Sequence, residues 1–185
     1  MGFIETTRPG STGFFLFPVD TENPQSRIPH DYTRSYSLAP FERTVDARTF
    51  AQLKQRVGSG KLSVVGLWPD EAVVKKYDFI VGGETCFFLN KQQLLAHGTI
   101  VHADRSRQLS DALFGKGSPG THELLVLLAG VEPLNMPLDK FYAAIGRKSK
   151  ASIKAFTTLS SEAVQNIADR YGSIFSFIEA AKAPI

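Results

Sequence analysis

The stretch KLSVVGLWPDEAVVKKYDFIVGGETCFFLNKQQLLAHGTIVHADRS, residues 61–106, decides how the chain is read. Residues 62–67 form a continuous apolar run containing two β-branched valines, which predicts a buried strand. The run ends at Trp68, the only tryptophan in 185 residues. Pro69 biases its predecessor toward extended backbone, so the indole is expected where a strand meets the rim of a sheet. Residues 70–77 predict one or two helical turns. Residues 84–90, a Lys91-Gln92-Gln93 turn and residues 94–101 then read as an antiparallel hairpin.

Toward the N-terminus, residues 11–19 predict a strand that Pro18 ends. Residues 20–43 predict an irregular, proline-broken segment with a short strand around 32–38. Residues 47–57 predict a helix capped by Asp46 and stopped by Gly58. Toward the C-terminus, residues 105–114 predict a short helix with Ser106 as cap, and residues 122–131 a central strand. Pro133 and Pro137 are expected to bracket a turn before a helix over 138–145. Residues 153–156 suggest a short returning strand. Ser160 caps a helix that runs to Tyr171, Gly172 ends it, and a last helix opens at Ser173.

Short strands interleaved with short helices predict an α+β fold around a small β-barrel. The regular alternation of strand and long helix that marks a doubly wound sheet is missing. Residues 1–60 read as an N-terminal extension (strand, irregular segment, helix) packed on the barrel, and residues 61–185 as the principal domain.

Composition narrows the function. A formal net charge of +3 and a pI near 9.0 permit nucleic-acid binding without requiring it. One cysteine, Cys86, excludes an internal disulfide and a Cys-based zinc site. No apolar run approaches the roughly 20 residues of a membrane span, and residues 1–10 lack a signal-like apolar core, so a cytoplasmic location is expected.

Catalytic signatures are absent. His30, His97, His102 and His122 lack metal-ligand spacing. The loop GKGSPG (115–120) shares only composition with a phosphate loop. Pro69-Asp70 with Glu84 lacks the further acidic residue and lysine of a metal-dependent nuclease. Cys86 has no electropositive setting. The chain reads as a non-enzymatic binding domain with no metal and no cofactor.

The candidate binding residues are aromatic and basic. Trp68 at a rim offers a stacking face; the alternative is an indole that anchors the sheet end to the 47–57 helix. Phe114, at a helix end beside the glycine loop, is a candidate second wall, or simply core. Two basic sets are candidates for phosphate contact, with solvated surface as the alternative. One is Arg105, Arg107 and Lys116 around Phe114. The other is Arg147, Lys148, Lys150 and Lys154.

Residues 61–106 resemble the opening of YTH and EVE domains, base readers of the PUA-like superfamily. Gly66-Leu67-Trp68 matches a strand ending in Gly-hydrophobic-Trp. Cys86-Phe87-Phe88-Leu89-Asn90 matches hydrophobic-Phe-Phe-x-Asn, and His97-Gly98-Thr99-Ile100-Val101 a strand with a central glycine. Residues 109–114, 124–131, 134–137 and 171–178 continue the likeness in the manner of EVE-like domains fused to modification-dependent restriction enzymes. The resemblance covers about residues 61–180.

The resemblance implies a PUA-like pseudo-barrel whose aromatic cage holds a flipped, modified base such as N6-methyladenine or 5-methylcytosine. Trp68 matches the first cage residue, and Phe114 falls where a second tryptophan is common. Leu67 and Asn90 belong to the matched motifs and are expected beside the base. The implied partner is duplex DNA carrying a methylated or hydroxymethylated base. The implied context is a restriction system of the McrBC or EVE-nuclease type, its nuclease or AAA+ motor lying on another domain or subunit. An RNA reader of the same superfamily, and an interaction module with no nucleic-acid role, are the alternatives.

Overall fold

Every residue of the strand Leu62–Leu67 is buried, as a continuous apolar run requires when both faces of its sheet are covered. The computed structural model describes residues 12–19, 32–58, 60–116, 123–147 and 153–182. Within them, seven strands form one sheet: β1 (Phe14–Pro18), β2 (Ser35–Tyr36), β3 (Leu62–Leu67), β4 (Thr85–Leu89), β5 (Gln93–Arg105), β6 (Leu124–Pro137) and β7 (Thr157–Thr158). Their order is β2-β3-β6-β5-β4-β1-β7. β1 pairs with β4 in parallel, and the other ladders are antiparallel. Seven helices accompany them: α1 (Ala39–Glu42), α2 (Ala47–Val57), α3 (Glu71–Tyr77), α4 (Arg107–Phe114), α5 (Leu138–Ala144), α6 (Ser161–Tyr171) and α7 (Ile174–Lys182). The α+β class is as expected.

Alternation along the strands sorts the core. Phe15 and Phe17 of β1, Val65 and Leu67 of β3, Cys86 and Phe88 of β4, Ile100 of β5 and Val126 of β6 share one face. Among the described helices only α3 packs there, through Val73 and Tyr77. Side chains from five strands therefore fill that face against one another, the packing of a sheet curled on itself. Register shifts at three points between β5 and β6 supply the bending. On the outer face, α5, α6 and α7 cover Leu16, Phe87 and Leu89. Farther along that face, α1, α2 and α4 cover Leu62, Val64, Leu125 and Leu127.

Three expectations change. The sheet is open, with the two-residue strands β2 and β7 at its ends, and no ladder joins them among the described residues; the expected barrel closure is not seen. β6 runs through Pro133 to Pro137 instead of turning there. It pairs with β3 only as far as Leu128, so Pro133 lies where one side of the strand carries no ladder and its missing N–H breaks none. The 153–156 segment is not a strand. Phe156 inserts into the inner core beside Phe15 and Phe17, and pairing with β1 begins at Thr157.

The caps read from sequence are present. Asp46 Oδ1 accepts from Arg48 and Thr49 N–H at 3.0 Å. Ser106 Oγ accepts from Leu109 N–H at 3.0 Å, and Ser160 Oγ from Ala163 N–H at 3.1 Å. Part of the first sixty residues is integral to the sheet: β1 lies between β4 and β7, while Phe41 and Leu53 join the core over β3 and β6.

Candidate nucleic-acid interface

β3 delivers Trp68 to the end of the sheet where β5 finishes and β6 begins, because Leu67, Leu124 and Arg105 lie in one register row. Leu67 is 1% exposed and Trp68 49% exposed. The change from core to surface takes place in one residue. Leu67 therefore presents almost no side-chain surface and packs in the inner core.

The backbone around the indole is held on both sides. Asp70 N–H donates to the Trp68 carbonyl at 2.9 Å, and the Asp70 side chain caps α3 through Val73 N–H at 2.9 Å. At the other end of α3, the Tyr77 hydroxyl donates to the Leu125 carbonyl at 2.9 Å. Burial holds that phenol far above the ordinary tyrosine range, so it remains a donor.

Strand alternation places position 68 on the face of Leu62 and Val64, which α4 covers. Phe114, the last residue of α4, belongs to that same face, partly buried and edge-on to Tyr36 at 6.3 Å between ring centroids. Position 68 and Phe114 thus lie on one side of the sheet. Gly115 follows with φ 92°, and Lys116 is exposed beyond it.

Asn90 lies elsewhere. Its side-chain oxygen accepts from Gln92 and Gln93 N–H at 2.8 Å each, and its own N–H donates to the Gln93 carbonyl. It closes the β4–β5 turn, at the end of β5 opposite Arg105 and so away from the row of Leu67. Its hydrogen bonds give Asn90 a role in the turn.

The basic residues divide as well. Arg105 is ion-paired with Asp78 and lies over the Tyr77 ring at 5.6 Å. Arg107 is 3.6 Å from Glu123 and 3.9 Å from Asp111. Arg105 lies in the register row of Leu67, and both arginines have carboxylates beside them. Arg147 lies over the Tyr142 ring at 4.9 Å, in the part of the chain that follows the far end of β6. Lys154 is exposed, two residues from Phe156, whose carbonyl accepts from Lys76 Nζ at 3.2 Å. Lys148 and Lys150 lie outside the described residues, as do His30 and His122.

Cys86 donates to the Gly98 carbonyl at 3.4 Å, and burial drives its thiol pKa far upward, away from nucleophilic chemistry. His97 and His102 are held below the ordinary histidine range, chiefly by burial. Among the described residues no group of three or more His, Cys, Asp or Glu side chains gathers to hold a metal. No helix among them is long and apolar enough to cross a membrane. A hollow of about 340 Å³ between α5 and α6 is lined by Ala143, Ala144, Gly146, Asn166, Asp169 and Arg170, none of them a candidate site residue.

Arg34 and Lys61 are cations that the sequence motifs do not single out. Arg34 lies over the Tyr36 ring at 5.1 Å, and Lys61 precedes Leu62, the ladder partner of Tyr36. The available signal was the excess of cations over residues 34–61, six against two carboxylates, spread too thinly to form a run.

No protein-family model and no curated protein matches the chain. Among solved structures, the chain is similar to the "N-terminal domain of Thermococcus Gammatolerans McrB bound to m5C DNA". The TM-score is 0.64 at 12% identity, covering 87% of this chain and 98% of that one. The match spans nearly all of the neighbouring domain and supports the EVE-like resemblance read from sequence: the chain has the fold of a McrB N-terminal domain.

Proposed function

We propose that this chain recognises modified duplex DNA by receiving a methylated or hydroxymethylated base, turned out of the helix, against Trp68. The carrying observation is a half-exposed indole at the sheet rim, in a fold shared with a domain solved on m5C DNA. Phe114 lies on the same side of the sheet but packs against Tyr36 in the row of Leu62, at the other end of β3 from the indole, so the proposal rests on Trp68. The chain acts as the specificity domain of a restriction system, and cleavage or nucleotide-driven translocation belongs to another domain or subunit.

The energetics suit a reader with stacking at its centre. Base–aromatic stacking contributes about 1–3 kcal/mol per base. Extruding a base costs a few kcal/mol, which backbone contacts must offset. Discrimination by one methyl group in an apolar slot is on the order of 10–200-fold.

The test is binding to duplexes that differ in one methylated or hydroxymethylated base, with matched RNA as competitor. Tighter binding to a modified duplex, lost in Trp68→Ala, supports the reading. Equal affinity for all duplexes, unchanged by the substitution, rejects it, and preference for RNA moves the assignment to an RNA reader.

A further inference from the structure

One carboxylate faces the indole across the end of the sheet. β3 and β6 are antiparallel, and Leu67 is the ladder partner of Leu124. Trp68 follows Leu67 and Glu123 precedes Leu124, so 68 and 123 are the next two positions to face each other across these chains. The sheet still holds Glu123 at that point. Its carbonyl accepts from Ser106 N–H at 3.1 Å, which carries the contact between β5 and β6 one step past the pair Arg105 and Leu124. Facing residues within an antiparallel ladder have Cβ atoms about 4.5–5.5 Å apart, so one step beyond its end the two side chains border the same space.

Two observations put both positions on the outer face. Leu67 and Leu124 belong to the inner core, so alternation turns 68 and 123 to the other side. Independently, Glu123 Oε1 is 3.6 Å from Nη1 of Arg107, the first residue of α4. That helix packs on the outer side through Leu109 and Leu113. The Glu123 side chain is 58% exposed, comparable to Trp68. An aromatic face and a carboxylate thus share one open rim. A carboxylate has about four lone-pair sites, so the pairing with Arg107 leaves it able to accept from a further donor.

We infer that Glu123 reads the edge of the base stacked on Trp68 by accepting a hydrogen bond from its exocyclic amino group, so that the chain selects modified cytosine or adenine over modified uracil. The inference rests on the stacking role proposed for Trp68 and names the class of base which that role leaves open. Cytosine presents an amino donor at N4 and adenine one at N6, and Glu or Asp accepting from cytosine N4 is a recurrent pairing. Thymine carries the acceptor O4 in the same place, which sets two acceptors against each other. N6-methyladenine keeps one N–H. A site arranged around a hydrogen bond rejects an analogue that lacks it far more strongly than an apolar slot rejects a missing methyl group. One hydrogen bond to a charged group corresponds to on the order of 10–100-fold in affinity.

The experiment is binding of the full chain to duplexes in which one base faces an abasic position, so that no pairing partner biases its extrusion. The bases come in couples that differ in the amino N–H: 5-methylcytosine with thymine, 5-hydroxymethylcytosine with 5-hydroxymethyluracil, and N6-methyladenine with N6,N6-dimethyladenine. In its preferred couple the wild type should favour the N–H member about 10-fold or more. Glu123→Ala should bring that ratio close to one. Glu123→Gln should lower it too, because an amide can also donate to O4 of the keto member. Loss of a negative charge by itself favours every duplex alike, so the ratio and not the affinity is the readout. Glu123 is a surface position, and its substitutions leave the core untouched.

A wild-type ratio near one in every couple overturns the inference, as does a ratio that Glu123→Ala leaves unchanged. Equal tightening of both members in Glu123→Ala marks a carboxylate that only repels phosphates, and overturns it as well. Trp68→Ala tells the two readings apart. Where it weakens both members of the couple while Glu123→Ala keeps their ratio, the role of Glu123 falls and that of Trp68 stands. Where it weakens neither, the stacking role fails and the role of Glu123 falls with it.

Discussion

The Tyr77 hydroxyl donates to the carbonyl oxygen of Leu125 at 2.9 Å, and Leu125 is the ladder partner of Gly66, two residues before Trp68. One buried bond thus ties the helix that follows the indole to the strand beside it. Tyr77→Phe leaves the packing volume almost unchanged and strands a buried carbonyl. It should cost about 1–3 kcal/mol in chemical denaturation. Because α3 then loosens beneath the rim, nucleotide quenching of Trp68 fluorescence should weaken in the same variant. Unchanged stability would show that the carbonyl is satisfied by its ladder alone.

Trp68 itself should be dispensable for folding. A side chain 49% exposed beside a buried Leu67 contributes little to the core. Trp68→Ala is expected to shift the denaturation midpoint only marginally, within about 0.5 kcal/mol as for surface positions, whereas Leu67→Ala should cost about 2–5 kcal/mol. A large loss in Trp68→Ala would mark the indole as structural and count against the reader proposal. As the sole tryptophan, its emission should also be quenched by iodide in the free protein.

Gly82 is a backbone requirement. Its φ is +90°, and an added Cβ would overlap the Arg56 guanidinium and sit 2.9 Å from the Val101 carbonyl. Arg56 donates to that same carbonyl. Gly82→Ala should displace Arg56 and strain the turn, at a cost of about 1–3 kcal/mol. Arg56→Ala in the same chain should relieve the clash and leave only the backbone part, measurable as a non-additive double-mutant cycle.

Acid should destabilise the fold through two histidines. Burial holds His97 and His102 below their usual pKa, with Glu132, 3.6 Å from His97, opposing the effect less strongly. The unfolded chain therefore takes up protons first. Their contribution is fully present above the ordinary value of about 6.5 and is lost as pH falls below it, by at most about 1.4 kcal/mol per pH unit for each group. Denaturation midpoints between pH 8 and pH 5 should fall, and His97→Gln/His102→Gln should flatten the profile. A flat wild-type profile would show both imidazoles accessible to protons in the fold.

Much of the framework is legible along the chain because its signals are local. The apolar run of β3 ending at Trp68, the caps Asp46, Ser106 and Ser160, and the stops at Gly58 and Gly172 each depend on a residue and its neighbours within one turn or one strand. The order of short motifs was enough to point to the α+β class and to the EVE-like resemblance, while the expected barrel closure is not seen.

What lay beyond the sequence are the properties set by distance in space. Leu67 and Trp68 are adjacent, yet one is sealed and the other open, because the inner core ends between them. Asn90 stands in a motif beside Phe87 and Phe88, but the antiparallel course of β5 carries its turn to the opposite end of the sheet. Arg105 looked available until Asp78, 27 positions away, came to its side. Tyr36 and Phe114, far apart in the chain, meet edge-on only in the folded protein. Backbone periodicity and capping are short-range and can be read residue by residue; exposure and charge neutralisation are sums over everything nearby, and folding decides what is near.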